Sequence, residues 1–284
     1  MSQDGGGGTS EFNNASNWNP DGVPAGEAQF TDAGHTAGSE NVQNVDVNDP
    51  SGTTTIDSLV FNSPNELWRV RATGGDTLVV NDLIESRTGS TDGRFRGNLV
   101  SSGPLSMDAS GGNLIFQGPS IISGDGQLTI ATPASVGGRV VFARNTTLAG
   151  FSSVVVQDGA RLRLIAGANA VNESFVVTGR LEGAGNRPFG SSPTSPSPAR
   201  IGDLSGTGSW VFRLTADTDR DSAFFDVTNS LNLANLTIDI RNADLFADAS
   251  PSNPVVEDGP VAPSWFCFVC SPFSLCPCPV WSNP

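Results

Sequence analysis

The chain has 284 residues, a charged fraction of 15%, 33 Gly, 19 Pro and a formal net charge of −14. Average soluble domains carry roughly 25% charged residues, and disordered chains exceed roughly 25–30% Gly plus Pro; this surface is therefore left to Asn, Ser, Thr and Gly, a composition that suits many short strands and turns. The acidic excess argues against a nucleic-acid partner, because counterion release needs Lys and Arg patches, and no run reaches the about 18 apolar residues of a membrane-spanning helix.

In chain order, the start "MSQDGGGGTSEF" has neither a basic nor an apolar signal-peptide region. Helical periodicity is nearly absent. Short β-rich runs follow one another instead: Thr53–Phe61, Leu78–Val80, Leu114–Phe116, Leu128–Ile130, Val140–Phe142 and Val154–Val156. Further runs are Leu162–Leu164, Phe175–Val177, Trp210–Leu214 and Leu231–Ile240. Asp125-Gly126, Asp158-Gly159, Gly111-Gly112 and Gly137-Gly138 punctuate them as turns. The run centres Ile115, Thr129, Val141 and Val155 are 14, 12 and 14 residues apart. Such spacing fits a sandwich or barrel, or a solenoid in which each short strand stacks on an earlier one. Strand brevity, Gly- and Asn-rich corners and scarce hairpin signals favour the solenoid. These features make the expected fold an all-β solenoid with an N-terminal cap, the alternative being a β-sandwich. The expected domains are a Gly/Asn-rich cap over 1–35, a β-helix over 36–248 with a Ser/Pro loop at 190–200, and a Pro/Cys-rich tail over 249–284.

Asn17-Trp18, Pro24 and Ala28-Gln29-Phe30 stand in the order of the opening of bacterial secreted proteins built from autotransporter-associated β-strand repeats. "TTTIDSLVFN" resembles the first coil strand of that family, and "GPSIISGDGQLTI" its Ile-Ser-Gly-x-Gly-x-Leu-Thr step. "NTTLAGFSSVVVQDGARLRL" resembles the central repeat unit; "IGDLSGTGSWVFRL" and "SAFFDVTNSLNLANLTIDI" resemble closing units. The resemblance spans roughly residues 4 to 246. It implies a right-handed parallel β-helix that is exported and extracellular or on the cell surface, like an autotransporter passenger or a Pro-Glu-Pro-sorted surface protein. The sorting tail and the membrane barrel have no counterpart here. Relatives carry a signal peptide and a Trp before the Gly run; Met1 stands in that region, so the resemblance implies a truncated start with the export signal upstream.

Catalytic chemistry on a β-helix would need facing carboxylates about 5–9.5 Å apart. Asp82, Asp92, Asp108, Asp125 and Asp158 are scattered, and three of them precede Gly as turn residues do. The single histidine, His35, lies in a Gly/Thr loop and reads as solvated rather than catalytic. No catalytic or cofactor residue is assigned, no cofactor is expected, and the chain is not read as an enzyme. Asp217, Asp219 and Asp221 have the alternating spacing of a calcium loop, but Ser222 and Thr228 replace its Gly and Glu; they are weak Ca²⁺ candidates beside the reading of a solvated acidic loop. Trp18, Trp68 and Trp210 are candidate glycan-stacking platforms or core residues, with Trp18 favoured as a cap over an open strand edge. A cell-surface or matrix polysaccharide is the partner this allows.

The four cysteines, Cys267, Cys270, Cys276 and Cys278, crowd the tail, where no charged residue occurs from Gly259 to Pro284. Zinc, disulfides and an out-of-frame or otherwise non-native ending are the open readings. The functional expectation is a non-catalytic structural or adhesive surface β-helix protein; the alternative is a carbohydrate-binding or polysaccharide-degrading β-helix protein.

Overall fold

The computed structural model describes residues 2–3, 9–32, 42–131, 138–165, 167–184, 199–214 and 225–242. Two units are distinguished, Met1–Ala247 and Asp248–Pro284. The second lies wholly outside the described residues, with the cysteine tail in it.

The described chain is a parallel β-solenoid. Its strands form three stacks that the chain visits in turn. Rungs of the first stack are Thr9–Glu11, Val42–Asp46, the start of Leu67–Ser86, the start of Gly93–Ser101, and the start of Leu114–Gly124. They continue through Val140–Phe142, Arg161–Ile165, Arg180–Ala184, Ser209–Leu214 and Thr237–Asn242. Each pairs in parallel with the next. The second stack contains Thr146–Ala149 and Phe225–Val227; the third contains Glu27–Thr31, Leu105–Asp108, Gln127–Ile130 and Ser153–Val156. Longer strands turn a corner and serve two stacks, which produces register shifts such as that between Ala72 and Thr77.

The stacks follow from two-residue alternation. In the first, Val45, Val70, Phe95, Phe116, Phe142 and Leu164 superpose rung on rung and all point inward. In the second, Leu78, Leu99, Ile122 and Leu148 do so; in the third, Leu59, Ile84, Met107, Ile130, Val156 and Val177. These side chains are buried. Each removes about 1.5–3 kcal/mol worth of apolar surface from water, and like residues stacked on like residues leave no steps to fill. Phe95, Phe116 and Phe142 form a ring ladder with centroids 6.1 and 5.4 Å apart.

The 12- and 14-residue spacings are partial turns. Ile115 pairs with Val141 and Thr129 with Val155, so residues 26 apart are the true rung neighbours, and successive runs belong to different stacks. The parallel register replaces the antiparallel pairing a sandwich would require. One expected strand differs: within Leu231–Ile240, Leu231 makes only an isolated bridge to Leu204, and the strand is Thr237–Asn242. Residues 190–198 lie outside the described residues, whereas Ala199–Gly206 is already strand.

Parallel stacking starts within the first 35 residues, where Glu27–Thr31 pairs with Ser58–Asn62 of Thr53–Asn62. Above it, Phe12, Trp18 and Phe30 close the apolar interior. Trp18 is fully buried, packs at 4.9 Å from Phe12 and 5.5 Å from Phe30, and donates its indole N–H to the Phe12 carbonyl at 2.7 Å. A solenoid's end rung has no neighbour to cover it; here an aromatic layer covers it, with the one polar atom of the indole satisfied.

Candidate functional site

The outward positions of the first stack carry the most concentrated chemistry of the described residues. Wherever Val70, Phe95, Leu162 and Leu181 point in, their neighbours point out. This places Arg69, Arg71, Arg94 and Arg96 on one pair of rungs, and Arg139, Arg161, Arg163 and Arg180 farther along the same face. Eight of the chain's fifteen basic residues therefore share one face of a protein whose net charge is −14.

The second group surrounds one carboxylate. Glu182 is 2% exposed, and Arg139 Nη1 and Arg163 Nη2 reach its Oε2 at 3.0 and 2.9 Å. Arg161 Nη2 and Arg180 Nε reach Oε1 at 3.2 and 2.9 Å. Burial alone would push the Glu182 carboxyl up, but Arg163, Arg139 and Arg161 hold it below the usual carboxylate value. This is an internal ion cluster that ties three successive rungs together.

The first group is different. Arg71 grips Asp46 in a bidentate fork, Nε to Oδ1 at 2.5 Å and Nη2 to Oδ2 at 2.6 Å. Arg69 donates only to the neutral Asn44 side chain at 3.3 Å. Among the described residues, Arg94 and Arg96 have no carboxylate within ion-pair distance. The nearest acids along the face are otherwise engaged: Asp92 accepts from the Asn113 backbone and side-chain nitrogens, both at 2.9 Å, and Glu11 lies one rung beyond Asp46 and accepts from Asn48. Burial, and then the charges of Arg94, Arg71 and Arg96, make the Arg69 cation less favourable than usual. The Nε atoms of Arg69 and Arg94 are buried without a partner. Folding thus assembles a two-by-two block of guanidiniums against their mutual repulsion.

Glycine makes the block possible. Gly97 follows Arg96 with φ +114°, and a Cβ there would lie 1.7 Å from the Ala72 carbonyl oxygen. Gly93 precedes Arg94, and a Cβ there would enter the Phe61 ring at 2.3 Å.

Most carboxylates elsewhere on the sheet faces have structural partners. Glu85 and Asp108 are register neighbours on the outside of the third stack; Arg87 bonds Glu85 at 3.1 Å and Glu27 at 3.1 Å, and Ser110 donates to Asp108 at 2.5 Å. Asp82 and the turn residues Asp125 and Asp158 are exposed. Trp68 and Trp210, like Trp18, are buried and offer no exposed ring for stacking, because each occupies an inward position of the first stack. Asp217, Asp219, Asp221 and His35 lie outside the described residues. Among the described residues, no three His, Cys, Asp or Glu side chains gather where they could hold a metal ion, and no helix is long and apolar enough to cross a membrane.

The arginine block was open to sequence reasoning through a signal of a different kind. "WRVRA" and "GRFRG" repeat an Arg-x-Arg pair at one full coil, 69 to 94 and 71 to 96. No family model matches the chain, and neither a curated protein nor a solved structure matches it significantly.

Proposed function

We propose that this protein is a non-catalytic scaffold of the cell surface or extracellular space, a stacked rod that presents its faces to a polysaccharide. One observation carries the reading: rung stacks on rung from Thr9–Glu11 to Thr237–Asn242, and most outward carboxylates of the described rungs serve as staples between or beside rungs. Asp203 accepts from Ser230, Asp57 from Asn81, Glu182 from Arg139, Arg161 and Arg163, with Arg180 as a further ion-pair neighbour, and Glu85 from Arg87. Carboxylates tied in this way favour rigidity over proton transfer. The sequence resemblance to exported β-strand repeat proteins supports the surface location. The test is protease shaving of intact source cells followed by peptide mass spectrometry. Release of peptides from 42–131 supports the location, and their recovery only after lysis refutes it.

A second reading, polysaccharide cleavage, draws on the register pair Glu85–Asp108. It requires release of reducing or unsaturated ends from a polysaccharide by the purified protein, abolished by Glu85→Gln and Asp108→Asn. An unchanged polymer length across neutral and acidic glycans removes it.

A further inference from the structure

We propose that the block of Arg69, Arg94 and Arg96, beside the Arg71–Asp46 fork, is a docking surface for a carboxylate-bearing polysaccharide. The inference deepens the scaffold reading by giving one face a ligand, and rests on that reading only in that the polymer is held and not cut.

Three features of the face lead to this ligand. The first is uncompensated charge. Arg94 and Arg96 lack a carboxylate among the described residues, Arg69 has only Asn44, and the three stand on adjacent rungs about 4.8 Å apart. Guanidiniums so close repel, and an external anion would relieve the repulsion. The second is demonstrated geometry. The same face already seats two carboxylates of the protein itself, Asp46 in the Arg71 fork and Glu182 among four arginines. Planar Arg forks suit such bidentate acceptors. The third is what continues the face. The next rung places Gln117 beyond Arg96 and Ile115 beyond Arg94, an amide beside an apolar side chain. Cationic, hydrogen-bonding and apolar groups thus succeed one another along one strip of the sheet face. That sequence complements a chain whose carboxylates alternate with hydroxyls and C–H ring faces.

Charge at long range selects in the same direction. With a net charge of −14, most of the molecule repels polyanions, so a slim single chain reaching one face is favoured over a duplex that would overhang acidic surface. Arg96 is exposed and Arg94 partly so, which leaves them reachable.

The experiment uses the full chain at physiological salt and three probes: polygalacturonate, the same polymer fully methyl-esterified, and single-stranded DNA. Calorimetry should show binding of polygalacturonate only. Arg94→Gln with Arg96→Gln should weaken it by about tenfold or more, while Arg144→Gln, at the corner after Val140–Phe142, should leave it unchanged. In the unaltered protein, polygalacturonate should also shield Arg94 and Arg96 from dicarbonyl modification, read by peptide mass spectrometry, so the result does not depend on a variant that folds. Equal binding of the methyl ester, tighter binding of DNA, equal loss in Arg144→Gln, or no shielding would each overturn the proposal. Polymer that binds at this block but is shortened during incubation would refute the scaffold reading and leave the docking surface standing.

Discussion

Replacing Glu182 by Gln isolates what the internal ion cluster contributes. The substitution keeps the shape of a side chain that is 2% exposed and removes its charge. Three contacts converge on Oε2, from Arg139 Nη1, Arg163 Nε and Arg163 Nη2, and two on Oε1, from Arg161 and Arg180. Whichever oxygen becomes an amide nitrogen, at least two guanidinium contacts then meet a donor. Removing one partner of a buried ion pair costs about 3–5 kcal/mol. The four arginines are 22–27% exposed and can turn partly to water, which places the expected loss near the lower end, about 3 kcal/mol. The sign with pH is fixed as well. The folded-state Glu182 carboxyl lies below its ordinary 4.5, so its contribution is complete above that value and is lost as pH falls through the lowered one. Urea titrations of both proteins, followed by far-UV circular dichroism at neutral pH and at steps below pH 4, measure this. Glu182→Gln should unfold at markedly lower urea at pH 7, and the gap should close in acid. An unchanged midpoint at pH 7, or a gap that persists at the lowest pH, would mean that the Glu182 charge does not stabilise the fold.

Glu173 should behave in the opposite sense. It is 1% exposed, one oxygen accepts from the Gly150 N–H at 2.9 Å, and the other has no partner; burial raises its carboxyl above 4.5 despite the Gly150 and Phe151 backbone bonds. Its favourable contribution is full below the ordinary value and lost as pH rises through the raised one, so Glu173→Gln should raise the urea midpoint at pH 7 and change it little at pH 3. Trp18→Ala should cost about 3–5 kcal/mol, with hydrogen exchange accelerated first in Glu27–Thr31 and Val42–Asp46, rungs close to that end. Uniform acceleration along the chain would contradict the capping role. Gly97→Ala should destabilise by more than about 1 kcal/mol, since it combines a positive φ with a backbone clash; circular dichroism melts equal to the unaltered protein would contradict it.

The parts of the fold visible in the sequence were those written in apolar side chains. Val140–Phe142 is the strand it reads as, and Val154–Val156 and Leu162–Leu164 each gain only flanking residues. Gly93–Ser101 was hidden because Gly93 and Gly97 look like breakers, whereas the Phe61 ring and the Ala72 carbonyl leave room only for glycine at a strand's start and corner. Leu231–Ile240 misled in the other direction: its apolar periodicity resembles a strand, yet only its last residues find a full rung, at Ser209–Leu214. The candidate site was obscured for a related reason. Arg-x-Arg acquires meaning only when the coil length is known, and that length appears in the register of Val70 on Phe95, not in the spacing of successive runs. Trp68 and Trp210 could not be placed from sequence because an inward and an outward tryptophan differ by a single step in register.

Rung stacking underlies both the scaffold and the arginine face, and one distance tests it most directly. Val155 and Val176 are register neighbours on the outside of the third stack, 21 residues apart in sequence. Cysteines at these two positions, with Cys267, Cys270, Cys276 and Cys278 changed to serine, can carry paired nitroxide spin labels. Strands one rung apart lie about 4.8 Å from each other, so the doubly labelled protein should show strong dipolar broadening that neither single label shows. A spectrum equal to the sum of the two single-label spectra would contradict the parallel stack and everything built on it.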